Sequence, residues 1–137
     1  MVRVIMGVKG TGKTKQMIEL INAAAKSETG SVVCIEHGSK LTYDIHYQIR
    51  LVEAKEYAIS SFDMLKGFIS GLHAGNYDIT HVFVESLTKI VGVDAEDPEV
   101  EQFLDWLNAF GEKNGIKFTV TISADTSLAS DGVKKYF

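Results

Sequence analysis

The chain has 137 residues, which at roughly 100 to 200 residues per domain predicts one domain spanning 1–137 with a single site. Hydrophobic residues make up 45%, charged residues 23% and proline a single position, which excludes a disordered or fibrous chain. The net charge of −4 repels a phosphate backbone, so nucleic acid is not an expected partner.

Val2 to Met6 is apolar, rich in β-branched residues and broken only by Arg3, and predicts a mostly buried strand. A glycine-rich stretch from Gly7 to Gly12 follows. From Lys13 the period changes: Met17, Ile18, Ile21 and Ala25 form one helical stripe that ends near Gly30. Ser31 to Glu36 reads as a second buried strand. Ile49 to Val52 reads as a short third one, after a polar connection without clear pattern. Ser60-Ser61-Phe62-Asp63 predicts a capping box in which Asp63 reaches back to Ser60. It opens a helix over about 61 to 74 that carries Phe62, Leu65, Ile69 and Leu72 on one face.

Ile79 to Glu85 is another strand, and Asp97-Pro98 supplies a cap followed by proline at the first helical position. Val100, Phe103, Leu104, Leu107 and Phe110 stripe that helix, which stops at Asn114-Gly115. Ile116 to Ser123 is the last strand, and a short helix is expected beyond Asp125. Strands alternating with helices imply right-handed crossovers and an α/β fold, a three-layer αβα sandwich around a mainly parallel sheet of about five strands. Ligands of such sheets bind beyond the carboxyl ends of the strands, here just after Met6, Ile35, Val84 and Ile122.

Cys34 is the single cysteine, which excludes an internal disulfide and fits a reducing, cytoplasmic setting. It sits in an apolar strand and reads as an inert small hydrophobe. The N-terminal apolar run is too short for an export signal, and nothing approaches the roughly 18 consecutive apolar residues of a spanning helix, so no membrane insertion is expected. His37, His46, His73 and His81 lack metal-ligand spacing, and Trp106 lies beside a core stripe where packing is favoured.

Gly7-Val8-Lys9-Gly10-Thr11-Gly12-Lys13-Thr14 satisfies G-x-x-x-x-G-K-[ST] between a strand and a helix, the context that defines a P-loop. Gly7, Gly10 and Gly12 let the backbone take positive φ and curve its NH groups around a triphosphate. The following helix aims its N-terminal amides and dipole at the same anion. Lys13 is expected to reach the β and γ phosphates and neutralise charge during transfer. The Thr14 hydroxyl is expected on Mg²⁺. Thr11 lies within the cradle, and Lys9 either touches phosphate or is a solvated lysine.

Mg²⁺ accepts one or two carboxylates and keeps several waters, and Glu85 at the end of Val82-Phe83-Val84 is the candidate to assist it. Its alternative is an ordinary acid closing a buried strand. Glu36 closes Val32-Val33-Cys34-Ile35 at the same rim and is the candidate general base for a water attacking the γ phosphate; a solvated loop acid is the alternative. Ser123 could sense the γ phosphate or the water, or could serve as a turn residue.

With these features the chain resembles the P-loop NTPase superfamily, in particular its RecA-like ATPase branch and small stand-alone bacterial ATP-binding proteins. The likeness runs through GVKGTGKT, VVCIEHG, IRLVEAKEYAIS, HVFVESLTKI and IKFTVTISAD, about residues 2 to 124. The resemblance implies that Ile116 to Ser123 lies between Val2 to Met6 and the Glu85 strand. It also implies that Glu85 assists the metal, where the family has Asp, that Glu36 faces the γ phosphate, and that Ser123 is a sensor. The long DNA-gripping loops of recombinases have only short counterparts at Val91 to Glu96 and Asp125 to Gly132.

The expected function is a weak Mg-ATPase acting with ATP and a protein partner or a second copy. Only Arg3 and Arg50 could serve as an arginine finger, and Arg3 lies in the first strand, away from the expected site. The alternative is a non-catalytic nucleotide-binding module. A small-molecule kinase would be expected to carry more arginines, and a GTPase the tetrapeptide Asn-Lys-x-Asp, which does not occur. Adenine is favoured by that elimination.

Overall fold

The strands can be buried on both faces only if helices cover the sheet twice, and the fold is built that way. The structure, a computed structural model, describes residues 1–39, 41–42 and 44–137. Its elements are β1 (Val2–Gly7), α1 (Lys13–Ser27), β2 (Ser31–Glu36), β3 (Arg50–Glu53), α2 (Phe62–Gly75), β4 (Ile79–Glu85), α3 (Leu87–Val91), α4 (Pro98–Asn114), β5 (Lys117–Ser123) and α5 (Asp131–Lys134). Short 3₁₀ turns occupy Ala54–Tyr57 and Thr126–Leu128.

The five-stranded sheet has the order β1-β5-β4-β2-β3 with every neighbouring pair parallel. This is the α/β architecture expected, with β5 between β1 and β4. Side chains alternate across the sheet. Val32, Cys34 and Phe83 pack with Met17, Ile21 and Ala24 of α1. Val33, Ile35, Val84, Val120 and Ile122 share the other core with Leu65 and Ile69 of α2, Leu87 of α3 and Phe103 and Leu107 of α4. Because both faces are covered, the strands read as apolar runs rather than as alternation. The C-terminal tail shields the β1 edge, where the Val4 amide donates to the Tyr136 carbonyl at 2.7 Å. Among the described residues no helix is long and apolar enough to cross a membrane.

Several boundaries differ from the expectation. The cap of α2 is Ser61, whose Oγ accepts from the Met64 amide at 3.1 Å. Ser60 instead directs its hydroxyl to Met64 Sδ, so the frame is shifted by one residue and Asp63 falls in the first turn. Helix α1 ends at Ser27, with Glu28 rather than Gly30 as its cap. Strand β3 starts one residue late, at Arg50. No helix connects β2 to β3 among the described residues, and Leu41 in that connection is fully buried. Helix α3 was not expected at all: four of its five residues are buried, and five residues are too few to show a helical stripe. At α4 the expectation held, with Asp97 Oδ1 accepting from the Glu99 amide at 2.9 Å, Pro98 in the first turn and Gly115 at φ 68 closing the helix.

At the amino-terminal rim of the sheet, His81 stacks on Phe83 with ring centroids 4.1 Å apart and places Nε2 2.9 Å from Thr119 Oγ1. Burial holds its pKa down at about 4, with Glu28 pulling it up and Lys117 pushing it further down. The unfolded chain therefore takes up this proton first as pH falls from about 6.5. Stabilisation from neutral His81 is complete above pH 6.5 and is lost toward pH 4. Glu28, 2.9 Å from Lys117, feels burial raising its pKa, but the hydrogen bond and charge of Lys117 lower it and leave it below its ordinary value. Its own contribution is complete above the ordinary carboxyl pKa and is lost as pH falls from there through its lowered value. Urea midpoints should fall steadily between pH 6.5 and 4.5, and His81→Gln should flatten that slope. An unchanged slope in the variant would assign the acid sensitivity elsewhere.

Candidate functional site

Strand β1 ends at Gly7 and α1 begins at Lys13, so the loop between them lies at the carboxyl rim of the sheet. Gly10 and Gly12 take φ of 89° and 85°, a region that costs a residue with a Cβ about 1–2 kcal/mol. Gly7 is different from the expectation, because its φ is not positive. It is needed for space: a Cβ there would meet Thr11 Oγ1 at 2.7 Å, and that hydroxyl donates to the Val8 carbonyl at 2.8 Å.

Gly12 caps α1 without any side chain, so no capping group competes for the first-turn amides. The first turn also lacks the acidic residues that ordinarily complement a helix N-terminus. Both features leave the helix end open to an external anion. Lys13 lies back across the loop with Nζ 3.0 Å from the Val8 carbonyl.

A cavity of about 550 Å³ opens beside this loop and is lined by Lys9, Gly10, Gly12, Lys13, Thr14, Met17, Glu85, Lys89, Thr121 and Ser123. Three lysines against one carboxylate make it cationic. A groove of about 310 Å³ on the other flank of Lys13 is lined by Gly7, Val8, Thr11, Gln16, Asp125 and Thr126 among others. Of the residues expected at the site, Lys9, Gly10, Gly12, Lys13, Thr14, Glu85 and Ser123 therefore share one cavity, while Gly7 and Thr11 line the adjoining groove.

Glu36 is placed differently. It pairs with Glu85 in register across β2 and β4, but it is fully buried and its Oε1 accepts from the Leu41 amide at 2.8 Å. It is not among the residues lining the cavity. Glu85 is also buried, and its Oε1 accepts from Ser86 Oγ at 2.6 Å. The His37 amide donates to Glu85 Oε2 at 3.4 Å. Burial, then the charges of Glu36 and Glu85, push the Cys34 thiol far up, so it stays protonated and inert.

Three residues at the site were not singled out from sequence. Ser86 is buried in the left-handed region at φ 59°, ψ 57°, and its amide donates to Thr121 Oγ1 at 2.8 Å. Strained backbone of this kind persists where its surroundings hold it. Thr121 could have been found: Thr119, Thr121 and Ser123 recur with period two in an otherwise apolar strand, which puts hydroxyls along one face. Lys89 carries only the weak signal of a lysine following a strand end.

For Mg²⁺, the donor set fits. Thr14 and Glu85 present a hydroxyl and a carboxylate to the same cavity, and this hard cation needs few protein oxygens when phosphates and water supply the rest. Among the described residues no cluster of His, Cys, Asp and Glu could hold a metal without a ligand.

No protein-family profile matches the chain, and no curated protein matches it significantly. Solved structures do. A KaiC-like protein from the hyperthermophilic archaeon Pyrococcus horikoshii OT3 is similar with a TM-score of 0.67 and 18% identity over 98% of this chain. The flagellar accessory protein FlaH from Methanocaldococcus jannaschii is similar with a TM-score of 0.61 and 12% identity over 98% of this chain. The chain spans 66% and 65% of the length of these two proteins. At such identities the likeness concerns the fold alone: this chain shares with these two proteins an α/β fold built on a parallel sheet.

Proposed function

We propose that residues 1–137 act as one nucleotide-binding unit that binds Mg-ATP at the P-loop, hydrolyses the γ phosphate slowly and couples the bound state to a protein partner or a second copy. The observation that carries this reading is the convergence of the glycine loop, Lys13, Thr14, Glu85 and Ser123 on one cationic cavity. The fold shared with the KaiC-like protein and FlaH supports nucleotide binding in general.

Each residue then has a role that follows from its chemistry. The amides of residues 10 to 14 hold phosphate oxygens, and Lys13 leaves the Val8 carbonyl to neutralise the β and γ groups. Thr14 and Glu85 would hold Mg²⁺, which when bound screens the charge on the phosphate oxygens. Ser86 fixes the Glu85 carboxylate. Glu36 is the candidate base, and because it is fully buried and outside the cavity lining, its surroundings must open before it can orient a water. That requirement and the remoteness of both arginines, with Arg50 bonded to the Tyr57 hydroxyl at 3.2 Å and Arg3 beside His81 at the other rim, support slow turnover.

The engagement of Glu36 also favours a second reading, a nucleotide-binding module without catalysis whose bound form alters a partner contact. Phosphate release from Mg-ATP separates the two. The expected result is slow release by the wild type and a rate lower by about 100-fold in Glu36→Gln, the smaller end of what a general base contributes. Equal rates would remove Glu36 as the base, and no release by wild type that binds ATP would establish the second reading.

A further inference from the structure

Helix α3 is a single turn held on three sides. Leu87, Thr88, Ile90 and Val91 are all buried, while Lys89 is exposed. At its start, Ser86 takes the left-handed conformation and ties its amide to Thr121 on β5. At its end, Gly92 at φ 70° donates its amide to the Thr88 carbonyl at 2.9 Å. Rolling this turn would expose four buried side chains, so the Lys89 backbone is fixed. Its side chain lines the cavity that contains Lys9, Lys13, Thr14 and Glu85.

The position on the sheet gives Lys89 a distinct role. Lys9 and Lys13 belong to the loop and helix that follow β1, whereas Lys89 follows β4, and β5 lies between those strands. Two strand spacings amount to roughly 10 Å, a distance that a phosphate chain and a lysine stem together can bridge. If Glu85 holds the Mg²⁺ that accompanies the phosphates, a cation on the Glu85 side of the cleft faces the same terminal phosphates from the flank opposite Lys13. We infer that Lys89 contacts the terminal phosphate of a bound triphosphate and makes the cleft discriminate ATP from ADP.

This inference rests on the nucleotide-binding reading, and its test keeps the two apart. Calorimetric affinities for ATP and for ADP, each with Mg²⁺, would be compared for the wild type, Lys89→Gln and Lys89→Arg. Because Lys89 is exposed, both variants should melt with the wild type. Losing one charge-assisted contact should weaken ATP about tenfold in Lys89→Gln while ADP changes less than about twofold. Lys89→Arg should keep the ATP preference. Equal weakening of both nucleotides, or no change in either, would overturn the role of Lys89 and leave the parent reading intact. A wild type that binds neither nucleotide would overturn both.

Discussion

Lys13→Ala should weaken Mg-ATP binding by at least about 100-fold, roughly 2.8 kcal/mol, with little change in melting temperature. The size follows from where the ammonium sits. It stands between the main cavity and the adjoining groove and rests on the Val8 carbonyl, within the loop itself. When phosphate replaces that carbonyl, a neutral acceptor is exchanged for a multiply charged one, and alanine forfeits the whole gain. The glycine conformations and the helix terminus remain in the variant, so some residual affinity is expected. Direct titration checks it, and a variant that bound as tightly as wild type would show that phosphate does not lie against this lysine.

Phe83→Ala should destabilise the protein by about 3–5 kcal/mol in urea titrations, the usual cost of deleting a fully buried aromatic ring. Phe83 has no exposed surface. It lies in the core shared with Met17, Ile21 and Ala24 of α1 and supports the His81 ring. The resulting cavity lies under the helix whose N-terminus is the proposed phosphate site, so nucleotide affinity should fall with stability. Saturating Mg-ATP should recover part of the loss, because a ligand that binds the folded state alone stabilises it. A loss under about 1 kcal/mol would mean that α1 collapses onto the sheet and fills the space.

The strands and long helices were legible because burial on both sheet faces makes apolar runs and because the helices carry clear stripes. The glycine loop was legible because its glycines answer a local need: Gly10 and Gly12 require positive φ. What local pattern does not contain is who neighbours whom. Within the order β1-β5-β4-β2-β3, the place of β5 between β1 and β4 was expected from the family resemblance and not from periodicity. Ser86 owes its strained conformation to a hydrogen bond with Thr121, 35 residues away. Glu36 reads as an acid at a strand end, and its bond to the Leu41 amide depends on how the connection to β3 folds back. Helix α3 escapes notice because one turn has no period, although it brings Lys89 to the cleft.

The most direct test is an amide spectrum of the isotopically labelled full chain, recorded by NMR as Mg-ATP is added. The account predicts saturable shifts that are largest at the amides of residues 10 to 14, with smaller changes at Glu85 and Ser123. Amides of residues 10 to 14 that stay in place with both ATP and GTP at millimolar concentration would contradict it.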